Sequence, residues 1–311
     1  MNKKIVRDTT GQLLSWLASS ITIAVCLGII VYLFINGYKE INSQFLLTQP
    51  NPTIKQDLSG GISSPIIGTI LLTLIGTLLA FPWALATAIY LSEYSKKSVI
   101  TSYFRIGIDV LAGVPTVVIA IFGLAVFSNP SMGFLSSMVE GVEGIQRAFG
   151  RSFFVAGITM AVMILPFIIK TCEESLKAVP DSYREGSLAM GSSKWRTTTR
   201  IVLPSASRGI MTGVILGMGR IIGDTAIVKL TLGGTLKMLD MQPWWTPENI
   251  LATLKNTGST LTAYIYYASP AGMGNAPAKA FGASFVLIII IIVLNLIADL
   301  IGKFSKTVKE E

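Results

Sequence analysis

The sequence predicts an all-α, polytopic membrane protein with six transmembrane helices, and three observations carry that expectation. First, 51% of its 311 residues are hydrophobic and 14% charged, with a mean hydropathy of +0.63, whereas a soluble chain carries roughly 25% charge. Second, charge is kept out of long blocks: Gly11–Tyr38, Leu58–Ser92, Val110–Val139, Ser152–Ile169 and Ala280–Ala298 contain no Asp, Glu, Lys or Arg. Third, each block reaches or approaches the ~20 residues a helix needs to cross ~30 Å of hydrocarbon. None has the polar face a soluble helix of that length requires.

Six spans are expected, at about 13–36, 66–91, 106–127, 152–170, 207–230 and 281–301. Lys3, Lys4 and Arg7 before the first resemble a signal peptide, but the apolar run is long and lacks a small-x-small cleavage site, which reads as an uncleaved span. Pro82, Pro115 (close to Gly113) and Pro166 fall inside spans, where each removes a backbone hydrogen bond; lipid tolerates this only where protein or water satisfies the freed carbonyl. The N-terminus, the 92–105 and 170–208 loops and the C-tail hold sixteen Lys and Arg, and the alternate loops hold seven over a greater length. Both termini are therefore expected in the cytoplasm. The 231–280 segment reads as a long loop, with Trp244 and Trp245 expected to anchor at the lipid interface.

The net charge of +8 fits basic cytoplasmic loops better than nucleic-acid binding, because no aromatic-basic cluster accompanies it. Cys26 and Cys172 lie too far apart in sequence to suggest a disulfide framework or a metal site. Histidine is absent, which excludes Ser-His-Asp and Cys-His nucleophiles and His-based metal sites. The chain has no Gly-x4-Gly-Lys-Ser/Thr loop, so nothing in it cradles ATP phosphates. No catalytic residue, metal site or cofactor is expected in this chain.

Between spans four and five, Pro180 is expected to precede a helix, with Ser182 and Glu185 as a capping box. Gly191 suits the left-handed position that ends it. Ser192 or Ser193 would cap a second short helix through Trp195, which Pro204 would close. The result would present Tyr183, Leu188, Met190 and Trp195 among charges, an amphipathic knob that must bury its apolar side, against headgroups or a partner. Glu185, Gly191 six residues on, and Ile201-x-Leu203-Pro204 after a further nine, resemble the EAA loop of ATP-binding-cassette importer permeases, with Glu185-Gly186-Ser187 in place of Glu-Ala-Ala. That resemblance implies that 178–204 is a coupling loop docking on a separate cytoplasmic ATPase dimer, through Glu185, Gly186, Ser187, Gly191, Leu203 and Pro204.

Span five places Arg220 and Asp224 about halfway across the bilayer, where a charge costs at least ~2.5–3.5 kcal/mol. At i, i+4 they are expected to offset each other, either as a structural pair or as a gate in which Arg220 donates to an oxyanion. Lys229 is expected to snorkel to the surface, and Asp109 to pair with Arg105 at the start of span three.

Several stretches together resemble the PstA-type permease family of phosphate-specific ABC importers: Gly60-Gly61-Ile62 to Gly68-Thr69, Ala88 to Glu93-Tyr94, Leu111-Ala-Gly-Val-Pro115-Thr116, Leu165-Pro166 with Lys170 to Glu174, the coupling loop, and Gly219-Arg220-Ile-Ile-Gly223-Asp224-Thr225-Ala226. The resemblance runs from about residue 60 to 232 and resumes in the last span. The family usually has Glu at 224, Pro-Leu at 227–228 and Arg at 170. It implies one transmembrane domain over 1–311 with type I ABC-importer (MetI-like) architecture and a permease core over 66–301. It further implies a phosphate pathway at Arg220, Asp224, Thr225 and Lys170, with ATP and Mg held by the ATPase. The partners implied are a homologous second permease, that ATPase dimer, an extracytoplasmic phosphate-binding protein and membrane lipid. Another oxyanion such as molybdate or sulfate remains an alternative cargo. An ion-gradient-driven carrier would leave the 185–204 spacing without a reason, and a membrane enzyme lacks its catalytic groups.

Overall fold

A computed structural model of the chain describes residues 2–52, 58–95, 98–136, 138–140, 146–234, 247–272 and 274–307. Among these, five helices are long and apolar enough to cross a membrane, and six if one bent pair counts as a single span. The chain is a multi-pass membrane protein. Helix α1 (Asn2–Gly37) rests on α12 (Pro277–Thr307). Phe34 packs on Phe285 at 5.0 Å between ring centroids, and Tyr32 meets Phe281 edge-on at 5.6 Å. The rest of its apolar span is exposed, as suits a helix facing lipid. A short helix α2 (Ser43–Leu47), capped by Asn42, leads to an antiparallel hairpin, β1 (Pro50–Pro52) with β2 (Leu58–Gly60). Helix α3 (Ser63–Ile89) follows and ends in a π turn, Tyr90–Tyr94.

The expected third span is not one helix. It is α4 (Val99–Gly113) and α5 (Thr116–Phe127), bent by 99°. Val114 and Pro115 are extended between them: Pro115 disfavours the helical conformation for Val114 and then supplies the fixed φ that starts α5. A second hairpin, β3 (Met138–Glu140) with β4 (Gln146–Ala148), precedes α6 (Phe153–Lys177), whose first turn is capped by Ser152.

Helices α7 (Asp181–Ala189) and α8 (Lys194–Thr197) form the expected helical turn unit. Gly191 has φ +79° as expected, and Ser193 caps α8 by accepting from the Arg196 N–H. Two details differ. Helix α7 begins at Asp181 after Pro180 with no side-chain cap, so Ser182 and Glu185 lie within its first turns and form no capping box. Pro204 closes nothing: α8 passes through a π turn, Thr198–Val202, into α9 (Leu203–Gly223). Proline has no N–H to donate and its ring crowds the carbonyl four residues back; the widened turn lets the helix continue through it.

Span five also breaks. Helix α9 stops at Gly223, Asp224 is extended, and a helical segment ending in the π turn Val228–Leu232 follows. The expected 231–280 loop is partly helical: α10 (Pro247–Lys255) and α11 (Leu261–Ala268), the latter packed inward with Leu261 and Tyr264 fully buried. Trp244 and Trp245 lie outside the described residues.

The core is centred on α6, between α3 and α9, with Met160, Ile164, Ile168 and Leu176 wholly buried. Small residues let the helices approach, as membrane packing favours. A Cβ on Gly157 would stand 2.4 Å from Ile75 Cγ2, and one on Gly76 would stand 2.8 Å from Ile221 Cδ1. Gly68 lies against the Ser259 carbonyl, which fixes α11 to α3; the Leu261 N–H donates to Thr69 Oγ1 at 2.9 Å. Gly157→Val is expected to lower stability by about 1–3 kcal/mol through overpacking, read as thermal unfolding of the detergent-solubilised protein. Gly107→Ala, where nothing lies within 4 Å, serves as the control and should lose nothing.

Candidate anion gate and coupling surface

The two helix breaks meet at Asp224. Its Oδ1 accepts the Ile227 N–H at 2.7 Å, and the Ala226 N–H and the Thr116 hydroxyl lie close enough to favour its charged form. Asp224 therefore caps the helical segment that follows it, much as an N-cap does, while Thr116 opens α5 at the other break. The Asp224 carbonyl accepts from Thr262 Oγ1 at 3.3 Å, bringing α11 to the same point. Thr225 sits half-buried beside it.

The expected Arg220–Asp224 ion pair does not form. Asp224 leaves the helix, so i, i+4 geometry is lost, and its Oδ1 already serves as an acceptor; Arg220 acts on it only at longer range. The Arg220 guanidinium lies instead over the Phe167 ring, 3.9 Å from its centroid. Its Nε is buried with no hydrogen-bond partner among the described residues. The ring face attracts the cation without cancelling its charge, which leaves N–H donors for an oxyanion.

Lys170 lies one turn beyond Phe167 on α6, toward the α7 end of the bundle, and pairs with Asp109 at 2.6 Å. Asp109 thus bridges to another helix rather than to Arg105, which pairs with the largely buried Glu173. Glu173 also receives Lys177 at 2.6 Å. These charges line a cavity of about 310 Å³ between α4 and α6. Arg220, Asp224 and Thr225 come together, whereas Lys170 belongs to this neighbouring, charge-compensated cluster. The Lys229 ammonium stands 3.1 Å from the centroid of the partly exposed Tyr266 ring.

At the α7 end, Glu185 and Gly186 are exposed and Ser187 is buried, hydrogen-bonded to Thr197 across the α7–α8 turn at 2.9 Å. Leu203 packs on the core as α9 begins, with Pro204 in its first turn. Tyr183, Leu188, Met190 and Trp195 are exposed by 53%, 48%, 86% and 64%. This is the apolar knob the sequence predicts, with no cover among the described residues.

Sequence reasoning missed what holds that knob. Arg184 grips Glu93 with two hydrogen bonds, Nε to Oε2 at 3.2 Å and an NH2 to Oε1 at 2.9 Å. It also donates to the carbonyls of Leu176 at 2.7 Å and Val179 at 2.6 Å, and to Asp181 at 3.1 Å. One guanidinium thus joins the end of α3, the end of α6 and the start of α7. The Glu93 hydrogen bonds hold it still more firmly protonated than usual. The only trace in the sequence is that Glu93 ends a long charge-free block and Arg184 precedes Glu185.

Comparison with known proteins agrees with this architecture. Residues 80–306 match the family described as the binding-protein-dependent transport system inner membrane component. The probable ABC transporter permease protein YqgI of Bacillus subtilis (strain 168) is 29% identical over 308 residues, 97% of each chain. The phosphate transport system permease protein PstA 1 of Mycobacterium tuberculosis (strain H37Rv) is 32% identical over 250 residues, 80% of this chain and 71% of that one. Among solved structures, a bacterial alginate ABC transporter in complex with a pentasaccharide-bound periplasmic protein superposes with a TM-score of 0.61 at 17% identity, covering 98% of this chain and 97% of that one. The inward-facing MetNI methionine ABC transporter gives 0.56 at 16% identity, over 77% and 93%. The extent of the family match, together with an apolar bundle bearing an uncovered helical knob, makes the chain a member of the binding-protein-dependent transport system inner membrane component family.

Proposed function

We propose that this chain is the membrane-spanning permease subunit of an ATP-driven importer of inorganic phosphate across the cytoplasmic membrane. The observation that carries the reading is the uncovered knob of Tyr183, Leu188, Met190 and Trp195, held rigidly to two core helices by Arg184. An exposed apolar cluster ringed by polar residues marks a protein-docking surface. The phosphate assignment is supported by relatives named as phosphate transport permeases, PstA 1 of M. tuberculosis and PstC of Mesorhizobium japonicum, and by the ring-held Arg220.

In this reading both termini and the α7 end face the cytoplasm. The 178–204 segment docks through Glu185, Gly186, Ser187, Gly191, Leu203 and Pro204 on an ATPase dimer, which holds the ATP and Mg; the permease needs no cofactor of its own. A homologous second permease closes the other side of the pathway, and an extracytoplasmic phosphate-binding protein delivers the anion. Closure of the ATPase dimer pushes α7, and Arg184 passes the displacement to α3 through Glu93 and to α6 through the Leu176 and Val179 carbonyls. The bundle then opens past Arg220, Asp224 and Thr225, with Lys170 on the inward side.

Replacing Glu185 by Ala, or Gly191 by Val, is expected to uncouple ATP hydrolysis from uptake while the protein stays inserted; φ +79° makes a β-branched residue at 191 costly by about 1–2 kcal/mol. Unchanged phosphate accumulation in both variants would defeat the coupling assignment. Glu93→Gln and Arg184→Met are each expected to cost about 3 kcal/mol, because each strands a mostly buried charged partner. The double variant should cost less than the two singles added, and thermal unfolding of all four proteins checks this. Excess molybdate or sulfate should leave labelled-phosphate uptake unchanged; strong competition would identify another oxyanion as the cargo.

A further inference from the structure

We infer that Lys229, carried on the face of Tyr266, is an anion-capture site for a tetrahedral oxyanion, placed one step ahead of Arg220 on the route inward; this rests on the oxyanion-permease reading above. The starting point is a contrast between the two ends of the bundle. Toward α7, Arg105, Lys170, Lys177 and Arg184 each pair with a carboxylate, while Lys194 lies over the Tyr94 ring at 5.1 Å. From the gate outward, the cations are held differently. Arg220 lies over Phe167 at 3.9 Å, Lys229 over Tyr266 at 3.1 Å and Arg151 over Phe149 at 5.5 Å. Among the described residues none of these three forms an ion pair. A carboxylate would fix a cation and neutralise it, whereas a ring face fixes it and leaves its charge available.

The placement of Lys229 follows from the backbone. Its N–H donates to the Thr225 carbonyl, so it lies one helical turn beyond the Asp224–Thr225 break. Its ring partner lies on α11, four residues after Thr262, and residues at that spacing share a helix face. Thr262 in turn donates to the Asp224 carbonyl. One face of α11 therefore runs alongside both the gate and Lys229. Arg220, Asp224, Thr225 and Lys229 are half-exposed and Tyr266 is 46% exposed, so this face is open among the described residues.

The next step outward is Arg151. Gly233 closes the π turn that holds Lys229, and a Cβ there would stand 3.7 Å from Arg151 Cδ. At ~1.5 Å per residue, Lys229 is about 6 Å along the helix from Gly233, and the Asp224 break separates it from Arg220. The chemistry of the two inner cations is graded. An ammonium is a compact, hydrated point charge with rotatable donors, while a guanidinium offers a planar fork that binds oxyanions in pairs of hydrogen bonds. An anion passing from Lys229 to Arg220 moves from a loose hold to a directional one.

The test uses the complete importer in proteoliposomes, with this chain, its sister permease, the ATPase and the binding protein. Labelled-phosphate uptake and binding-protein-stimulated ATP hydrolysis are measured side by side. Lys229→Met is expected to lower uptake about tenfold while ATP hydrolysis stays within twofold. Lys229→Arg should recover at least half of the uptake. Tyr266→Leu should lower uptake several-fold, and Tyr266→Phe, which keeps the ring face, should not. Uptake by Lys229→Met within twofold of the unmodified protein would overturn the inference. So would a loss of uptake that Lys229→Arg fails to recover or that ATP hydrolysis follows, since either would mark Lys229 as structural. If the unmodified importer carries a different oxyanion, the phosphate reading fails; the same variants assayed with that anion still decide the role of Lys229.

Discussion

Hydrocarbon offers no hydrogen bonds, so a spanning helix that breaks inside a bilayer must find partners for the backbone groups it frees. This chain breaks two spans, at Val114–Pro115 and at Asp224–Thr225, and the two breaks meet at one carboxylate. Asp224 caps the segment that follows it, with the Thr116 hydroxyl of the other break close by. The start of the segment that carries Lys229 depends on that group, and α11 approaches the same residue through Thr262, which donates to the Asp224 carbonyl. The state of Arg220 depends on it too: because Asp224 is engaged as an acceptor, the guanidinium four residues earlier is left to the Phe167 ring. A break that would be a defect in a passive anchor here creates a polar opening with an uncompensated cation beside it.

The α7 end is built on the opposite principle. There a ladder of carboxylate-cation contacts joins α4 to α6, and Arg184 ties α7 to α3 and α6 at once. The Arg184–Glu93 pair, mostly buried on both sides, resists separation because parting it strands a charge. Force applied to the exposed knob is therefore conveyed as a rigid displacement rather than absorbed by a loose loop. In the proposed function the gate needs available charge and accessible breaks, while the coupling surface needs fixed charge and continuous helix. The π turn that carries the chain past Pro204 serves the second need, letting α8 and α9 act as one lever.

Much of this was legible in the sequence because hydrocarbon imposes a simple rule on composition. Charge-free blocks marked the spans, Gly191 marked the end of α7, and the Glu185–Pro204 spacing marked the knob. Two errors share one cause. A helix wheel treats a span as continuous, so it placed Arg220 and Asp224 on a common face and made one span, with Pro115 inside it, of residues 106–127. Where Gly-Val-Pro and Gly-Asp-Thr interrupt the spans, tertiary hydrogen bonds decide the path. Contacts between residues far apart in sequence, such as Arg184 with Glu93 or Lys170 with Asp109, leave no periodic trace. Helix α11 was missed because eight residues are too few to read as a span and the segment around it is rich in Gly, Pro and Ser.

The central claim is that a rigid knob lets a separate motor open an otherwise closed bundle. Its most direct test is phosphate uptake by proteoliposomes holding the two permeases and the binding protein, with and without the ATPase subunits. The account predicts uptake only when the ATPase is present and hydrolysing nucleotide. Uptake at the same rate by vesicles lacking it would contradict the account.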